Sequence, residues 1–168
     1  MKLSPAIYRA IGVAAPLLIL SQPALAGEAT GDMAVSASVL NNCTVVASPM
    51  VFGPITDFNA ADVDSTSTLV LACTPNAAYE VQLNDGINAD SGQRRLANAA
   101  GDEFINYDIY SDTGRASRWG DELTVDTVSG TANAVGTATL TAYGRIDQNE
   151  TAVSAGAYSD QITVTVNF

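Results

Sequence analysis

The chain has 168 residues, which is enough for one domain with a substantial core. Its 18 acidic residues outnumber 7 basic ones, so the net charge is −11, and histidine is absent. A protein this acidic repels phosphate backbones, so we expect no nucleic-acid partner.

The first 26 residues have the pattern of a secretory signal peptide. Lys2 and Arg9 supply a basic start, "IGVAAPLLIL" is apolar, and small residues form an Ala24-x-Ala26 cleavage pattern. The apolar run is shorter than the roughly 20 residues of a membrane span. We therefore expect cleavage after Ala26 and export of a mature chain, residues 27–168, without a transmembrane segment.

Removal of the signal peptide makes the protein more acidic. The mature chain has no lysine, and it keeps five arginines against all 18 acidic residues, a net charge of −13. Strong self-repulsion of this kind favours solubility, and it suits a partner with a basic face.

Cys43 and Cys73 are the two cysteines of the sequence. An even pair in an exported protein indicates a disulfide. Closing a loop of about 30 residues stabilises a fold by roughly 3–4 kcal/mol in the chain-entropy model. The alternative is a catalytic or metal-binding pair, which the lack of histidine and of a C-x-x-C motif disfavours.

Much of the mature chain alternates between apolar and polar residues with the period of two that β-strands have. In chain order the alternating or short apolar segments are "MAVSASV", "STLVLACT", "AYEVQLNDG", "EFINYDIYSDTG", "ELTVDTVSG", "GTATLTAYGRI" and "ITVTVNF". Threonine and valine are abundant and turn residues separate the segments, so we predict an all-β sandwich. The polar stretch "INADSGQRRLANAAGD" is predicted to be a long loop or to hold one helical turn.

The first and last alternating segments are the candidate functional residues. One face of the first segment carries Met33, Val35, Ala37 and Val39. One face of the last segment carries Ile162, Val164, Val166 and Phe168. Leaving the last set in water would forgo about 1.5–3 kcal/mol per side chain, and an unpaired apolar edge invites aggregation. The terminal strand therefore needs a partner strand, and the N-terminal segment is a candidate, paired either within its own chain or with a neighbouring molecule.

We predict no catalytic residues and no cofactor. A serine nucleophile would lack its histidine, and the mature chain has no lysine for Schiff-base or Ser–Lys chemistry. A glycosidase with paired carboxylates stays open, but the acidic residues are scattered through turns and outward-facing strand positions. We therefore expect a protein that is not an enzyme.

Two loops rich in oxygen ligands raise the question of calcium. Their Asp and Asn residues are Asp57, Asn59, Asp62, Asp64, Asn84, Asp85, Asn88 and Asp90. Neither loop has the D-x-[DN]-x-[DN]-G spacing, and turns use the same residue types for their own geometry. We expect turns here and predict no metal site.

Trp119 is the single tryptophan and lies in "RWGDE". Beside Arg118 it would suit a binding platform, but one tryptophan in a sandwich is more often a packed anchor whose N–H finds a partner. We favour the structural anchor.

The ordered motifs carry a resemblance to a known family. They are "NNCTV", "MVFGPI", "LACT", "YEVQLNDG", "RRL", "INYDIYSD", "RWGDE", "AYGRI" and "GAYSDQITVTVNF". The set resembles the spore coat protein U domain family, whose best-known members are the Csu-type subunits of archaic chaperone–usher pili. The likeness spans nearly the whole mature chain.

The resemblance implies an incomplete immunoglobulin-like sandwich, residues 43–168, that a donor strand from a neighbouring subunit completes. The donor segment would be residues 27–42, with Met33 to Val39 entering a groove beside Ile162 to Phe168. A periplasmic chaperone would lend a strand first, and an outer-membrane usher would exchange it for the next subunit. The implied role is a structural subunit of a surface fibre that supports adhesion or biofilm formation.

Two other roles are compatible with the sequence. The family name also covers a spore-coat component, so a secreted coat or matrix protein is an alternative. A monomeric secreted sandwich that binds a ligand is the other. Room for only one domain favours a shaft or minor subunit over a two-domain tip adhesin.

Overall fold

A computed structural model describes residues 27–148, 150 and 152–168, so the predicted signal peptide lies outside the described residues. Residues 27–42 carry no strand or helix. The rest of the described chain forms eight strands: β1 Cys43–Ala47, β2 Val63–Cys73, β3 Ala78–Leu83, β4 Arg94–Ala97, β5 Phe104–Tyr110, β6 Val128–Thr131, β7 Thr137–Ile146 and β8 Val164–Asn167. The described residues include no helix able to span a membrane.

The strands form two antiparallel sheets. The larger has the order β1-β2-β7-β5-β4, and the smaller has the order β6-β3-β8. The long β2–β7 pair, with Val63 opposite Ile146 and Ala72 opposite Thr137, is the centre of the larger sheet. The prediction of an all-β fold is confirmed.

The core lies between the sheets and follows the alternation of the strands. In β2, Leu69 and Leu71 are buried, whereas Val70 between them is 46% exposed. The buried core side chains come from both sheets and are Leu69, Leu71, Tyr79, Val81, Leu83, Ile105, Tyr107, Ile109, Trp119, Ala142 and Ile146. Inward and outward residues therefore alternate as a sheet buried on one face requires.

Cys43 and Cys73 form a disulfide, as predicted. They face each other at the end of the β1–β2 ladder. The bond joins the first residue of β1 to the last residue of β2, so it fixes the start of the sandwich.

Trp119 is a structural anchor, as expected. Its side chain is 1% exposed, and its Nε1–H donates a hydrogen bond of 2.8 Å to the carbonyl of Val81. The partner that a buried indole N–H needs is therefore supplied by β3.

The stretch predicted as a loop or helical turn contains strand β4, which the sequence did not indicate. Its four residues include two arginines, Arg94 and Arg95, so no apolar alternation announces a strand. Arg94 is nevertheless fully buried. A buried arginine is tolerated only when its charge is paired and its donors are satisfied.

The Arg94 guanidinium meets both conditions. Its Nη1 donates to the carboxylate of Asp108 at 2.7 Å. Its Nη2 donates to the carbonyls of Leu83, Asn84 and Trp119 at 2.8, 2.9 and 2.7 Å. One side chain from β4 thereby holds the end of β3 to the rest of the sandwich.

Two polar residues, Asn84 and Asp160, fix the chain just before β8 begins. We call this pair the β8 latch. The Asn84 N–H donates to the Thr163 carbonyl at 3.2 Å, and the Thr163 N–H donates to Asn84 Oδ1 at 2.8 Å. The N–H groups of Ile87 and Asn88 donate to Asp160 Oδ1 at 3.0 and 3.2 Å. The chain is thus tied down just before β8 begins.

Gly86, which the sequence indicated as part of a turn, is required by the latch. Its φ is +88°, and a Cβ at this position would overlap the Asp160 carboxylate. The chain does not form a hairpin here; it crosses from β3 in the smaller sheet to β4 in the larger one.

The buried ion pair makes Arg94→Leu strongly destabilising. The variant leaves two buried carbonyls and one partly buried carbonyl without their donor and breaks the pair with Asp108, which should lower the free energy of unfolding by about 3–5 kcal/mol. Arg95→Leu is the matched control, because the ion pair of Arg95 with Asp90 is at the surface. We expect it to cost about 1–2 kcal/mol, because Arg95 also donates to the Asn88 carbonyl at 2.9 Å and lies over the Phe104 ring at 4.2 Å. Equal shifts of the two urea unfolding midpoints would contradict this assignment.

Tyr107 gives the latch a testable pH dependence. Burial raises the pKa of Tyr107, and its hydrogen bond of 2.8 Å to Asp160 raises the pKa further. Because the folded state holds this proton more tightly, the stabilisation is complete below about pH 10 and is lost as the pH rises above it. Tyr107→Phe should cost about 1–2 kcal/mol near neutral pH and lose stability less steeply in alkali. Urea midpoints at pH 8 and 11 test this.

Tyr143→Phe is the control for that measurement, since the Tyr143 hydroxyl is not the donor to Asp160. The same alkaline slope in wild type and Tyr107→Phe would show that Tyr107 has no part in the effect.

Candidate functional site

The sandwich has two edge strands, β1 and β8, that face each other without pairing. Among the described strands, β1 is hydrogen-bonded to β2 and β8 to β3, and no ladder joins β1 to β8. Their Cα atoms nevertheless approach within 8 Å of one another. Each strand therefore presents one row of backbone N–H and C=O groups toward the same gap.

A cavity of about 130 Å³, which we call the edge cleft, lies at this gap. Its floor consists of core side chains from both sheets: Leu69, Leu83, Ile109 and Ala142. Its remaining lining is Ala47, Ser48, Met50, Ser67, Ile162 and Val164. The hydrophobic core is thus reached between the two unpaired edges.

Two of the four predicted acceptor residues, Ile162 and Val164, line this cleft. Val164 and Val166 are half-buried and oppose Leu83 and Val81 of β3, and Ile162 is also half-buried against the core. The residues between them, at positions 163, 165 and 167, are exposed. Three of the four predicted side chains therefore face the core, two from β8 and Ile162 from the residues just before it.

Phe168 differs from the other three. It follows the last residue of β8, and its side chain is 53% exposed. The large aromatic ring at this end of the acceptor strand is therefore available to a partner.

The predicted donor residues lie in a segment without regular structure. Met33, Val35 and Val39 are 85%, 87% and 83% exposed, and Ala37 is exposed as well. Large apolar side chains are seldom left in water as a contiguous set without a binding role. The described chain thus contains both an exposed apolar segment of alternating pattern and an open apolar cleft.

Sequence reasoning identified β8 but missed most of the cleft. The floor residues belong to four different strands, and each of them reads simply as a core residue of its own strand. Met50 also lines a larger cavity of about 820 Å³, bounded mainly by residues 50–59 and 152–160. No short sequence motif indicates either cavity, since both arise from the way the strands pack.

The acidic loops are occupied by ion pairs and turn contacts. Asp85 pairs with Arg118 at 2.6 Å, and Asp64 pairs with Arg145 at 2.8 Å. The hydrogen bond from Arg145 lowers the pKa of Asp64. In the part of the chain that the structure describes, no three acidic, histidine or cysteine residues are grouped so that they could hold a metal ion.

A solved structure of similar fold is the CsuC–CsuE complex, a chaperone–tip adhesion subunit pre-assembly complex from archaic chaperone–usher Csu pili of Acinetobacter baumannii. The TM-score is 0.58 at 24% identity, and the match covers 77% of this chain but 40% of that chain. The fold is therefore the predicted immunoglobulin-like β-sandwich, and this chain spans less than half of the solved chain that it matches.

Sequence comparison identifies the family. Protein U of Myxococcus xanthus is 28% identical over 174 aligned positions, which cover 92% of this chain and 93% of that protein. The Spore Coat Protein U domain matches residues 29–165, most of the chain. The chain therefore belongs to the Spore Coat Protein U domain family, a family of structural rather than catalytic proteins.

Proposed function

We propose that the protein is a structural subunit of a secreted surface fibre, a chaperone–usher pilus, assembled by donor-strand complementation. Within the N-terminal segment, residues 27–42, of one subunit, the stretch from Met33 to Val39 pairs into the edge cleft of the next. One observation carries this proposal: the sandwich has an apolar cleft between two unpaired edges, and the same chain has an exposed segment of matching pattern.

The two segments match in length and in period. Each presents four apolar residues over seven positions, from Met33 to Val39 and from Ile162 to Phe168. At about 3.3 Å per residue, both extend over roughly 20 Å. A strand laid beside β8 in one register therefore directs every apolar side chain toward the core side and every polar side chain outward.

Filling the cleft is favourable by an amount that matters for stability. Burying a valine or methionine side chain of the donor in the cleft is favourable by about 1.5–3 kcal/mol. A donor strand also satisfies backbone groups on both β1 and β8, which water satisfies less well in a partly buried gap. The unpaired edges are the stronger reason for a partner, because they otherwise invite uncontrolled association.

The partners follow from the same geometry. A subunit with an open cleft needs a temporary strand before it meets the next subunit, and we assign this role to a periplasmic chaperone, with an outer-membrane usher to exchange the strands. The solved structure of similar fold is a complex of a chaperone with a tip adhesion subunit, which supports this assignment. Export through the periplasm to the cell surface, and a part in adhesion or biofilm formation, complete the proposal.

A spore-coat or matrix role is the second candidate, favoured by the match of residues 29–165 to the Spore Coat Protein U domain. Strand exchange would serve a coat equally well. Immunogold labelling decides between them, because pilus subunits label thin fibres, whereas coat subunits label the spore surface. A monomeric ligand-binding sandwich is the third alternative, and it requires neither chaperone nor multimers.

The central experiment compares the mature chain with a variant lacking residues 27–39. Both are exported into an oxidising periplasm with and without the candidate chaperone, and the purified proteins are run unboiled and boiled on a denaturing gel. We expect SDS-resistant multimers that disappear on boiling and are absent from the truncated variant. A stable monomer that needs no chaperone would overturn the proposal and favour the ligand-binding sandwich.

Val35→Asp should abolish multimers, because it would place a carboxylate in the apolar cleft of the next subunit. Its own cleft is unchanged, so the variant should still capture an added donor peptide of residues 31–41 as well as wild type does. Ser36→Asp is the matched control, since residue 36 lies on the opposite face of the donor. Multimers from Val35→Asp, or their loss in both variants, would count against the scheme.

Deletion of Phe168 should weaken capture by the chaperone about tenfold or more, because the exposed ring would otherwise be buried against the donated strand. Asn167→Ala is the control, as residue 167 is on the outward side of β8. Co-purification yield and the dissociation constant measured by titration test this, and equal affinity of wild type and the deletion variant would refute the role of Phe168.

A further inference from the structure

Thr74, in the β2–β3 connection, holds the C-terminal end of the N-terminal segment to the sandwich. Its N–H donates to the Asn42 carbonyl at 2.8 Å, so the β1–β2 pairing continues past the disulfide. The Asn42 N–H donates back to the Thr74 hydroxyl oxygen at 3.1 Å. The same hydroxyl donates to the carbonyl of Leu40 at 3.2 Å.

Thr74 is itself fixed on its other side. The neighbouring Cys73 is bonded to Cys43, and its N–H donates to the Gly136 carbonyl at 2.7 Å. Gly136 has a φ of +81°, and a Cβ there would overlap the Cys73 carbonyl oxygen. The Ala77 N–H also donates to the Thr74 carbonyl at 3.0 Å. The disulfide and these backbone hydrogen bonds therefore hold residues 73 and 74 in place.

The hydroxyl bond reaches Leu40, which directly follows the last donor residue, Val39. This inference rests on the proposed fibre. In that fibre Val39 lies in the next subunit and Leu40 is hydrogen-bonded to Thr74 of its own subunit, so no linker residue separates the two. A Gly- or Ser-rich linker would let consecutive subunits turn freely, but a linker of zero residues does not. The direction in which the donor leaves one subunit is then also the direction in which it enters the next.

We propose that Thr74 sets the orientation between consecutive subunits by clamping the root of the donor strand. The interaction surface is the backbone of Leu40 and Asn42, and the fibre is stiff at each junction because of it. Thr74 is a positioning residue: it contacts neither the edge cleft nor the donor side chains, and it acts through the two clamped residues.

The test compares Thr74→Val with Thr74→Ser. Valine keeps the shape and the backbone N–H of Thr74 but removes the hydroxyl, whereas serine keeps the hydroxyl. Thermal unfolding of both should match wild type within a few degrees. Hydrogen exchange by mass spectrometry on residues 40–43 of the mature chain, in whatever assembly state it is purified, should be about tenfold faster in Thr74→Val and unchanged in Thr74→Ser.

Electron microscopy of the fibres supplies the second readout, which a purely stabilising role would not change. We expect the persistence length of Thr74→Val fibres to fall at least twofold, and that of Thr74→Ser fibres to equal wild type. Equal exchange in all three proteins would overturn the clamp. Faster exchange with unchanged fibre stiffness would overturn its role in orientation.

The two proposals fail in different ways. If the wild-type chain formed no fibres, the proposed function and the orientation role would both fall, while the exchange data would still show whether the clamp exists. If fibres formed but Thr74→Val behaved as wild type in both measurements, only the clamp would fall.

Discussion

The structure depends on one constraint: the backbone groups at the edges of a sheet must find partners. In this sandwich β1 and β8 leave two rows of donors and acceptors facing a common gap, and core side chains form the floor beneath it. Proteins usually protect such edges with charges, proline or bulges. Here β8 has no charged residue and ends on an apolar alternation. An edge of this kind is built to be paired, and the proposed donor segment is the partner that its length and period fit.

An open edge has to be held in place until a partner arrives, and buried polar residues do this. Arg94 holds the end of β3, Asn84 joins that end to Thr163, and Asp160 fixes the chain just before β8. Apolar packing alone would be weakest beside an unfilled cleft. Hydrogen bonds to charged groups keep the acceptor strand in position when only one neighbouring strand supports it.

The features predicted correctly from the sequence are those that depend on the residue pattern of one strand alone. The alternation in residues 162–168 is visible because one face of one strand is buried. Strand β4 was missed, since its inward residue is an arginine whose partners lie 10 to 25 residues away in the chain. The cleft was missed for a related reason, because its floor is shared by four strands. Pairing in cis or in trans is also invisible in sequence, since the donor pattern is the same in both cases.

The surface charge bears on how such subunits would associate. Each arginine of the described residues is in an ion pair with an aspartate, so none of these cations is left to balance the surplus of acidic residues. Subunits that carry like charge repel each other sideways. In the proposed fibre, cohesion then comes from an uncharged contact, the apolar donor strand in the edge cleft. Growth along the fibre is then favoured over lateral bundling at low ionic strength, and salt, which screens the repulsion over about 10 Å at 0.1 M, weakens that preference.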